Sequence, residues 1–163
     1  MSDEPRLDLH PNARAVVEAA WAQGLDIEVA EFPAGTRTAA DAAAAVGVAE
    51  AQIVKSLVFT VDGAIVMALV SGPNRLDEKR LAVAAGGAEV GRADADAVRA
   101  ATGFPIGGVP PFGHREPLPT YVDRTLLDHD VVWAAAGTPR HVFPISPADL
   151  VRLTRGVVAD LAV

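Results

Sequence analysis

The chain has 163 residues, a length that predicts one domain over 1–163 with a sizeable core. Its 21 acidic and 14 basic residues give a net charge of −7, which disfavours a generic nucleic-acid binder or a DNA partner. The absence of cysteine excludes disulfides, thiolate metal sites and a cysteine nucleophile. With no long apolar run and an acidic, polar N-terminus, we expect a cytoplasmic protein without a membrane partner.

The first half of the chain predicts two helices and three strands. Proline or threonine begins each helix and glycine ends it, whereas alternating or β-branched apolar residues indicate the strands. In chain order these are a helix at 11–23, a strand at 25–32, a helix at 39–46 capped by Thr38, and strands at 53–61 and 64–70. Asp62 and Gly63, between the last two strands, are a strong signal for a two-residue hairpin.

The second half mixes short helices and strands around one irregular segment. In chain order we predict a helix at 76–85, a strand at 88–91, a helix at 94–102, strands at 121–123, 131–135 and 141–145, and a helix at 146–153. Residues 103–119 hold four glycines and five prolines and are predicted as a loop. Because helices and strands do not alternate strictly, the sequence predicts an α+β fold with a mixed, curved sheet surrounded by helices.

Lys55 is the first candidate for chemistry, because it lies in a strand whose neighbours are expected to be buried. Twelve of the basic residues are arginine and only Lys55 and Lys79 are lysine, so a lysine here indicates a site that arginine would not serve. Burial would lower its pKa and favour a partner or a pocket. The alternatives are a strand-end lysine that reaches water and a structural ion pair.

The second candidate is residues 103–114, which we call the glycine–proline loop. Its paired glycines, Gly107 and Gly108, allow close backbone approach, and its prolines remove competing N–H donors. Such a loop can direct free N–H groups at an oxygen, as in an oxyanion hole. Its spacing matches neither a dinucleotide-binding nor a Walker loop. The alternative is a rigid surface loop that covers the core.

Elsewhere the sequence indicates neither a conventional nucleophile nor a metal site. The four histidines lack metal-ligand spacing, and the serines lack a nucleophile-elbow context. His114, at the end of the loop, is the histidine best placed for a site, although it could equally be a surface loop residue. Basic residues near the two candidates predict either a positive rim or a solvated helix face: Arg75, Lys79, Arg80, Arg92, Arg99 and Arg115.

Several segments resemble the YbaK/ProX family, which includes free-standing relatives of the editing domain of bacterial prolyl-tRNA synthetases. They are IVKSLVF at 53–59, NRLDEK at 74–79, TGFPIGGVPPFGH at 102–114 and WAAAGTP at 133–139. The resemblance covers about residues 10–155. It implies a trans-editing deacylase that hydrolyses the ester of mischarged aminoacyl-tRNA, typically tRNA(Pro) carrying a small non-cognate amino acid. It also implies no metal and no cofactor, and makes prolyl-tRNA synthetase a candidate partner.

The resemblance also implies roles for individual residues. The family lysine falls on Lys55, which would position the terminal adenosine. The family's G-x-x-x-P loop falls on 107–111, where backbone N–H groups, with Gly107 and Gly108 at their centre, would hold the carbonyl and the attacking water. A ribose hydroxyl of the substrate would activate that water. The implied substrate-binding positions are Thr36, Thr38, Ser56, Val109, Pro111, Phe112, His114, Gly137 and Thr138.

Two departures from the family pattern bear on specificity. Pro110 stands where many relatives have serine, so one loop N–H is missing. The stretch GTPRH at 137–141 is closer to the branch that edits small aliphatic or hydroxylated amino acids than to the branch that edits Cys-tRNA. Two other functions remain open on the residues alone: a non-catalytic module that binds tRNA, a nucleotide or a synthetase, and a Schiff-base enzyme using Lys55.

Overall fold

The helices follow the predicted order in the computed structural model, which describes residues 9–32 and 38–163. They are α1 (Pro11–Ala22), α2 (Ala39–Val46), α3 (Glu78–Ala85), α4 (Ala95–Thr102) and α5 (Pro147–Thr154), with short 3-10 turns at Glu50–Gln52 and Arg124–Asp128. The caps agree with the sequence: Thr38 Oγ1 accepts the N–H of Asp41, and Ser146 Oγ that of Asp149. No helix in the described ranges is long and apolar enough to cross a membrane.

The strands of the described residues form two sheets, so the α+β class is confirmed. They are β1 (Ala30–Glu31), β2 (Val54–Val61), β3 (Ala64–Ser71), β4 (Val90–Arg92), β5 (Thr120–Asp123), β6 (Val132–Ala135), β7 (His141–Ile145) and β8 (Val157–Ala159). The sheet β4-β2-β3-β5-β8 is mixed, because β3, β5 and β8 run parallel and the other pairs antiparallel. Strands β1-β7-β6 form a separate antiparallel sheet, which meets the first where Ile53 bridges to Trp133.

Two predicted elements differ from the structure, and one strand was not predicted. Of the strand expected at 25–32 only Ala30–Glu31 pairs with another strand; the preceding residues alternate in burial but pack on the core unpaired. The helix expected at 76–85 begins at Glu78, because the Asp77 carboxylate caps it by accepting the N–H of Lys79. Strand β8 was not predicted, since three residues are too few to show a period.

Strand β2 separates two parts of the core. Val54 and Val58 face the larger cluster, which contains α1, β6, β7 and the glycine–proline loop. Phe59 and Val61 face a smaller cluster under α3. Successive side chains of a strand point to opposite faces, so Ser56 lies on the face of the larger cluster and Lys55 on the other.

Candidate active site

A cleft opens beside β2 where the two sheets part. The only backbone bridge to β6 in the described chain comes from Ile53, just before β2, and β2 pairs with β4 only from Phe59 onward. The edge of β2 between these two points therefore has no strand partner in the described chain. The main-chain N–H and C=O of Ser56 point to this edge. This follows from strand alternation, because the C=O of Val58, two residues on, accepts the N–H of Ala93 there (3.4 Å).

Two adjoining cavities occupy the cleft. The first, of about 520 Å³, we call the apolar chamber, and the second, of about 610 Å³, the basic chamber. They share one wall from β2 and one from the glycine–proline loop: Lys55, Ser56, Leu57, Ile106 and Val109. A ligand can therefore extend from one chamber into the other past Lys55.

Small side chains line the apolar chamber. Alanines of α2 and β6 face it together with Trp133, Val142 and the helix cap Thr38: Ala39, Ala40, Ala42, Ala134 and Ala135. Gly72 also lines it, and only glycine fits there, because a Cβ would lie 2.5 Å from the carbonyl oxygen of Glu50. The chamber thus has an apolar floor, and Glu50 is the one carboxylate among its described lining residues.

The basic chamber has a different wall. Arg75 and Arg92 line it with Asn74 and Glu78, and its apolar surface comes from β2, α4 and the adjacent turns. Neither arginine side chain forms an ion pair or hydrogen bond with the described residues. Both guanidinium groups are therefore available to a ligand.

Lys55 is anchored at the wall that both chambers share. Its Nζ donates a hydrogen bond to the main-chain oxygen of Asn74 at 2.6 Å. Burial lowers the pKa of Lys55, and the negative charge of Glu50 partly opposes that shift. An ammonium group has three N–H donors, so two remain for a substrate after the bond to Asn74.

Ser56 presents a free hydroxyl beside this lysine. Its Oγ is buried, lines both chambers and has no hydrogen-bond partner among the described residues. An unpaired buried hydroxyl is unfavourable by about 1–3 kcal/mol. A ligand that bonds to Ser56 would remove that cost.

The glycine–proline loop is held rigidly over the cleft. Its base is closed by the N–H of Arg115, which donates to the C=O of Thr102 at 3.0 Å. Three of its side chains, Phe104, Val109 and Phe112, are at most 5% exposed and belong to the larger core cluster. The loop therefore needs little ordering when a substrate binds.

The two glycines of the loop have different roles. Gly107 has φ +87°, in a turn closed by the N–H of Gly108 donating to the C=O of Pro105 at 3.0 Å. The Gly108 N–H is thus occupied, contrary to its expected role as a substrate donor. The N–H groups of Gly107 and Val109 make no hydrogen bond to the described residues. Both residues line the apolar chamber, so their N–H groups are among the donors that the loop can offer to a ligand there.

Pro111, Phe112 and His114 support the loop and do not line either chamber. His114 Nε2 lies 2.6 Å from the C=O of Pro110, which requires the proton on Nε2. Burial lowers the pKa of His114, and the bond to Pro110 partly opposes this. Phe112 packs edge-on against Phe143, with ring centroids 5.6 Å apart. Phe112 thus packs on the core and His114 bonds within the loop, and the substrate-binding role expected of these residues stays a prediction.

Gly137 and Thr138 are buried behind the loop and also lie outside both chamber linings. The C=O of Gly137 accepts a hydrogen bond from Asn12 Nδ2 at 2.9 Å. Thr138 Oγ1 lies 2.5 Å from His141 Nδ1, and the Thr138 main chain leaves no room for a Cβ on Gly108. Their part is to support the loop from behind. Thr36, the remaining predicted residue, lies outside the described residues.

Four of the cleft residues that sequence reasoning missed bear on the chemistry. Glu50, Trp133 and Ile106 line it, and Asn74 contributes the oxygen that anchors Lys55. Ile106 carries the clearest signal, since a large apolar residue between Pro105 and Gly107 is 60% exposed. In the described ranges no group of three or more histidine, aspartate and glutamate side chains could hold a metal ion.

Comparison with known proteins agrees with this geometry. The family model described as the aminoacyl-tRNA editing domain matches residues 33–153, which include every residue that lines the two chambers. The match covers well over half of the chain. The protein therefore belongs to the aminoacyl-tRNA editing domain family.

Individual relatives agree with the family assignment. A solved structure provisionally described as a trans-editing enzyme for prolyl-tRNA synthetase is 48% identical, with 96% of this chain and 99% of that chain covered and a TM-score of 0.91. An Enterococcus faecalis protein provisionally named Cys-tRNA(Pro)/Cys-tRNA(Cys) deacylase EbsC is 29% identical, with 76% of each chain covered. Proline–tRNA ligase of Maridesulfovibrio salexigens is 34% identical over 98 residues, which are 60% of this chain but 16% of the ligase.

Proposed function

We propose that this protein is a trans-editing aminoacyl-tRNA deacylase, which hydrolyses the ester between a wrong amino acid and tRNA. The proposed substrate is tRNA(Pro) carrying a small non-cognate amino acid. Family membership supports the reaction class, and relatives named for prolyl-tRNA synthetase or Cys-tRNA(Pro) support the choice of tRNA. The observation that carries the proposal is that Lys55, two free loop N–H groups and an alanine-lined chamber meet in one cleft.

In this proposal the aminoacyl ester lies at the wall that the chambers share. The two remaining donors of Lys55 hold the terminal adenosine by its ribose or phosphate. The amino-acid side chain enters the apolar chamber, where the alanine methyl groups and Trp133 accommodate a short side chain. The N–H groups of Gly107 and Val109 point their partial positive charge at the carbonyl oxygen.

The reaction follows from this placement. Water attacks the carbonyl carbon, and the negative charge that develops on the carbonyl oxygen is stabilised by the Gly107 and Val109 N–H groups. The carbon–oxygen bond to the ribose then breaks, the ribose oxygen takes a proton, and the free amino acid and tRNA leave. We propose that a ribose hydroxyl of the substrate activates the water, and that Glu50 is not needed as a base.

A panel of mischarged tRNAs tests the proposal. We would assay deacylation of Ala, Ser, Thr, Cys and 2-aminobutyrate on tRNA(Pro) and on their cognate tRNAs, with wild type, Lys55→Ala and Lys55→Arg. We expect hydrolysis of one or two members, abolished in Lys55→Ala and only weakly restored in Lys55→Arg, because arginine cannot place a compact ammonium near Asn74. If the folded wild-type protein hydrolyses none of these mischarged tRNAs, the proposed deacylase activity is refuted and a tRNA-binding module is favoured. Full activity of Lys55→Ala would refute the role of Lys55.

A further inference from the structure

The charge of the basic chamber is opposite to that of the molecule. The chain as a whole carries −7, yet Lys55, Arg75 and Arg92 line this chamber against one carboxylate, Glu78. The apolar chamber, in contrast, sets Lys55 against Glu50 and has no other charged lining residue in the described chain. An excess of positive charge in one concave surface of an acidic protein favours an anionic ligand there.

The two arginines are unpaired although the protein is rich in carboxylates. Three other arginines of the described chain find partners, although not every arginine does: Arg80 donates to the C=O of Ala162, Arg124 bonds to Asp160, and Arg152 bonds to Asp149. No ion pair within 4.0 Å joins Arg75 or Arg92 to a described carboxylate. A free guanidinium offers five N–H donors in a planar arrangement that suits the oxygens of a phosphate.

Both arginines extend from fixed backbone. The C=O of Arg75 accepts the N–H of Val163 at 3.0 Å, and the next residue, Leu76, bridges to Ala162. Arg92 ends β4, where it is paired with Phe59 of β2. The backbone that carries both charges is therefore fixed before a ligand arrives, by the C-terminal segment at Arg75 and by the sheet at Arg92.

We propose that the basic chamber binds phosphodiester groups of the single-stranded 3′ end of tRNA, with Arg75 and Arg92 as the phosphate-binding residues. This inference rests on the proposed function, and it assigns the nucleotides that precede the terminal adenosine to a chamber of their own. Lys55 lies between the two chambers, so the ester is placed at their boundary. The amino acid then occupies the apolar chamber and the phosphates occupy the basic chamber. The arginines then govern affinity for tRNA and not the choice of amino acid.

Binding and turnover, measured with the whole 163-residue chain, test this separation of affinity from amino-acid choice. The probe is an RNA minihelix of the tRNA(Pro) acceptor stem with a CCA end, uncharged for binding and aminoacylated for turnover. The variants are Arg75→Gln, Arg92→Gln and the double variant, with Arg75→Lys as the charge-retaining variant. Arg155→Gln is the matched control, because Arg155 lies after α5 and lines neither chamber.

We expect each glutamine variant to raise the Kd and the KM about 3- to 10-fold at low salt, and to leave kcat and amino-acid preference unchanged. For each phosphate that a variant no longer neutralises, the slope of log K against log salt should fall by about 0.7, the value for single strands. Arg75→Lys should recover part of the affinity. The proposal that the basic chamber binds phosphates would be refuted by a double variant with the affinity and salt slope of Arg155→Gln. A double variant that loses kcat at unchanged KM would refute it as well. If the wild-type protein binds the minihelix through these arginines but hydrolyses no aminoacyl ester, the proposed function is refuted, whereas phosphate binding by the basic chamber is supported.

Discussion

Replacing Gly108 by alanine tests whether the glycine–proline loop must rest directly on the turn behind it. A Cβ on Gly108 would lie 2.6 Å from Cα, 2.7 Å from C and 2.9 Å from N of Thr138. All three are main-chain atoms, and the Thr138 side chain is fixed by His141 and by the N–H of Arg140. The turn cannot yield, so the loop must move away.

The size of the effect follows from these distances. Restoring an ordinary contact of 3.4 Å from 2.6 Å requires a displacement of about 0.8 Å. A misplacement of about 1 Å in an active site can reduce the rate about 100-fold. We therefore expect Gly108→Ala to reduce kcat/KM about 30- to 100-fold, mainly through kcat, because the N–H groups of Gly107 and Val109 move with the loop. Overpacking should also lower the free energy of unfolding by about 1–3 kcal/mol.

Single-turnover deacylation and thermal unfolding would be measured together. Gly24→Ala is the control, because Gly24 has φ +84° with nothing within 4 Å of the added Cβ, so it strains the backbone without a clash. The control should lose stability and keep its rate. A Gly108→Ala protein that is folded and hydrolyses the ester at the wild-type rate would refute the supporting role of this contact.

Three further substitutions separate other roles. Glu50→Gln should keep kcat within about threefold if the substrate activates the water; a loss of 100-fold or more would identify Glu50 as the base. The same variant should move the alkaline loss of activity to lower pH, because Glu50 raises the pKa of Lys55. Ser56→Ala should leave stability equal or higher by up to about 1 kcal/mol, because the hydroxyl is buried without a partner, while kcat/KM falls about fivefold; unchanged kcat/KM would exclude a substrate contact. Burial holds the pKa of His114 below its usual value, so its neutral form stabilises the fold above about pH 6.5 and that stability is lost on acidification. In His114→Gln, which keeps an N–H for Pro110, chemical denaturation between pH 5 and 7 should show a smaller loss than wild type; an identical loss would contradict this assignment.

Sequence patterns predicted most of the fold because the caps and turns are local. Thr38 and Ser146 cap their helices, and Asp62 and Gly63 both adopt positive φ in the hairpin. The predicted strand at 25–32 is longer than the observed strand Ala30–Glu31. Alternating apolar residues indicate which side chains are buried, whereas strand pairing depends on a partner far away in sequence. For the same reason the sequence did not predict β8, whose three residues form a strand by pairing with β5.

The site was predicted in part for the same reason. Lys55 and the glycine–proline loop are exceptional within their own segments, so the sequence alone singled them out. The direction of a side chain is a property of the assembled fold. Phe112, His114 and Thr138 were therefore expected in the pocket but support the loop from outside it, and Trp133 reaches the cleft from the other sheet.

The bond from Lys55 to Asn74 has a consequence for how the site tolerates change over evolution. The acceptor is a main-chain oxygen, and every amino acid at position 74 supplies one. The Asn74 side chain is occupied elsewhere, donating to Thr125 Oγ1 at 3.0 Å. Substitutions at position 74 can therefore change the neighbouring surface, and with it the nucleotides that the protein accepts. Lys55 keeps its hydrogen bond to the main-chain oxygen in each case.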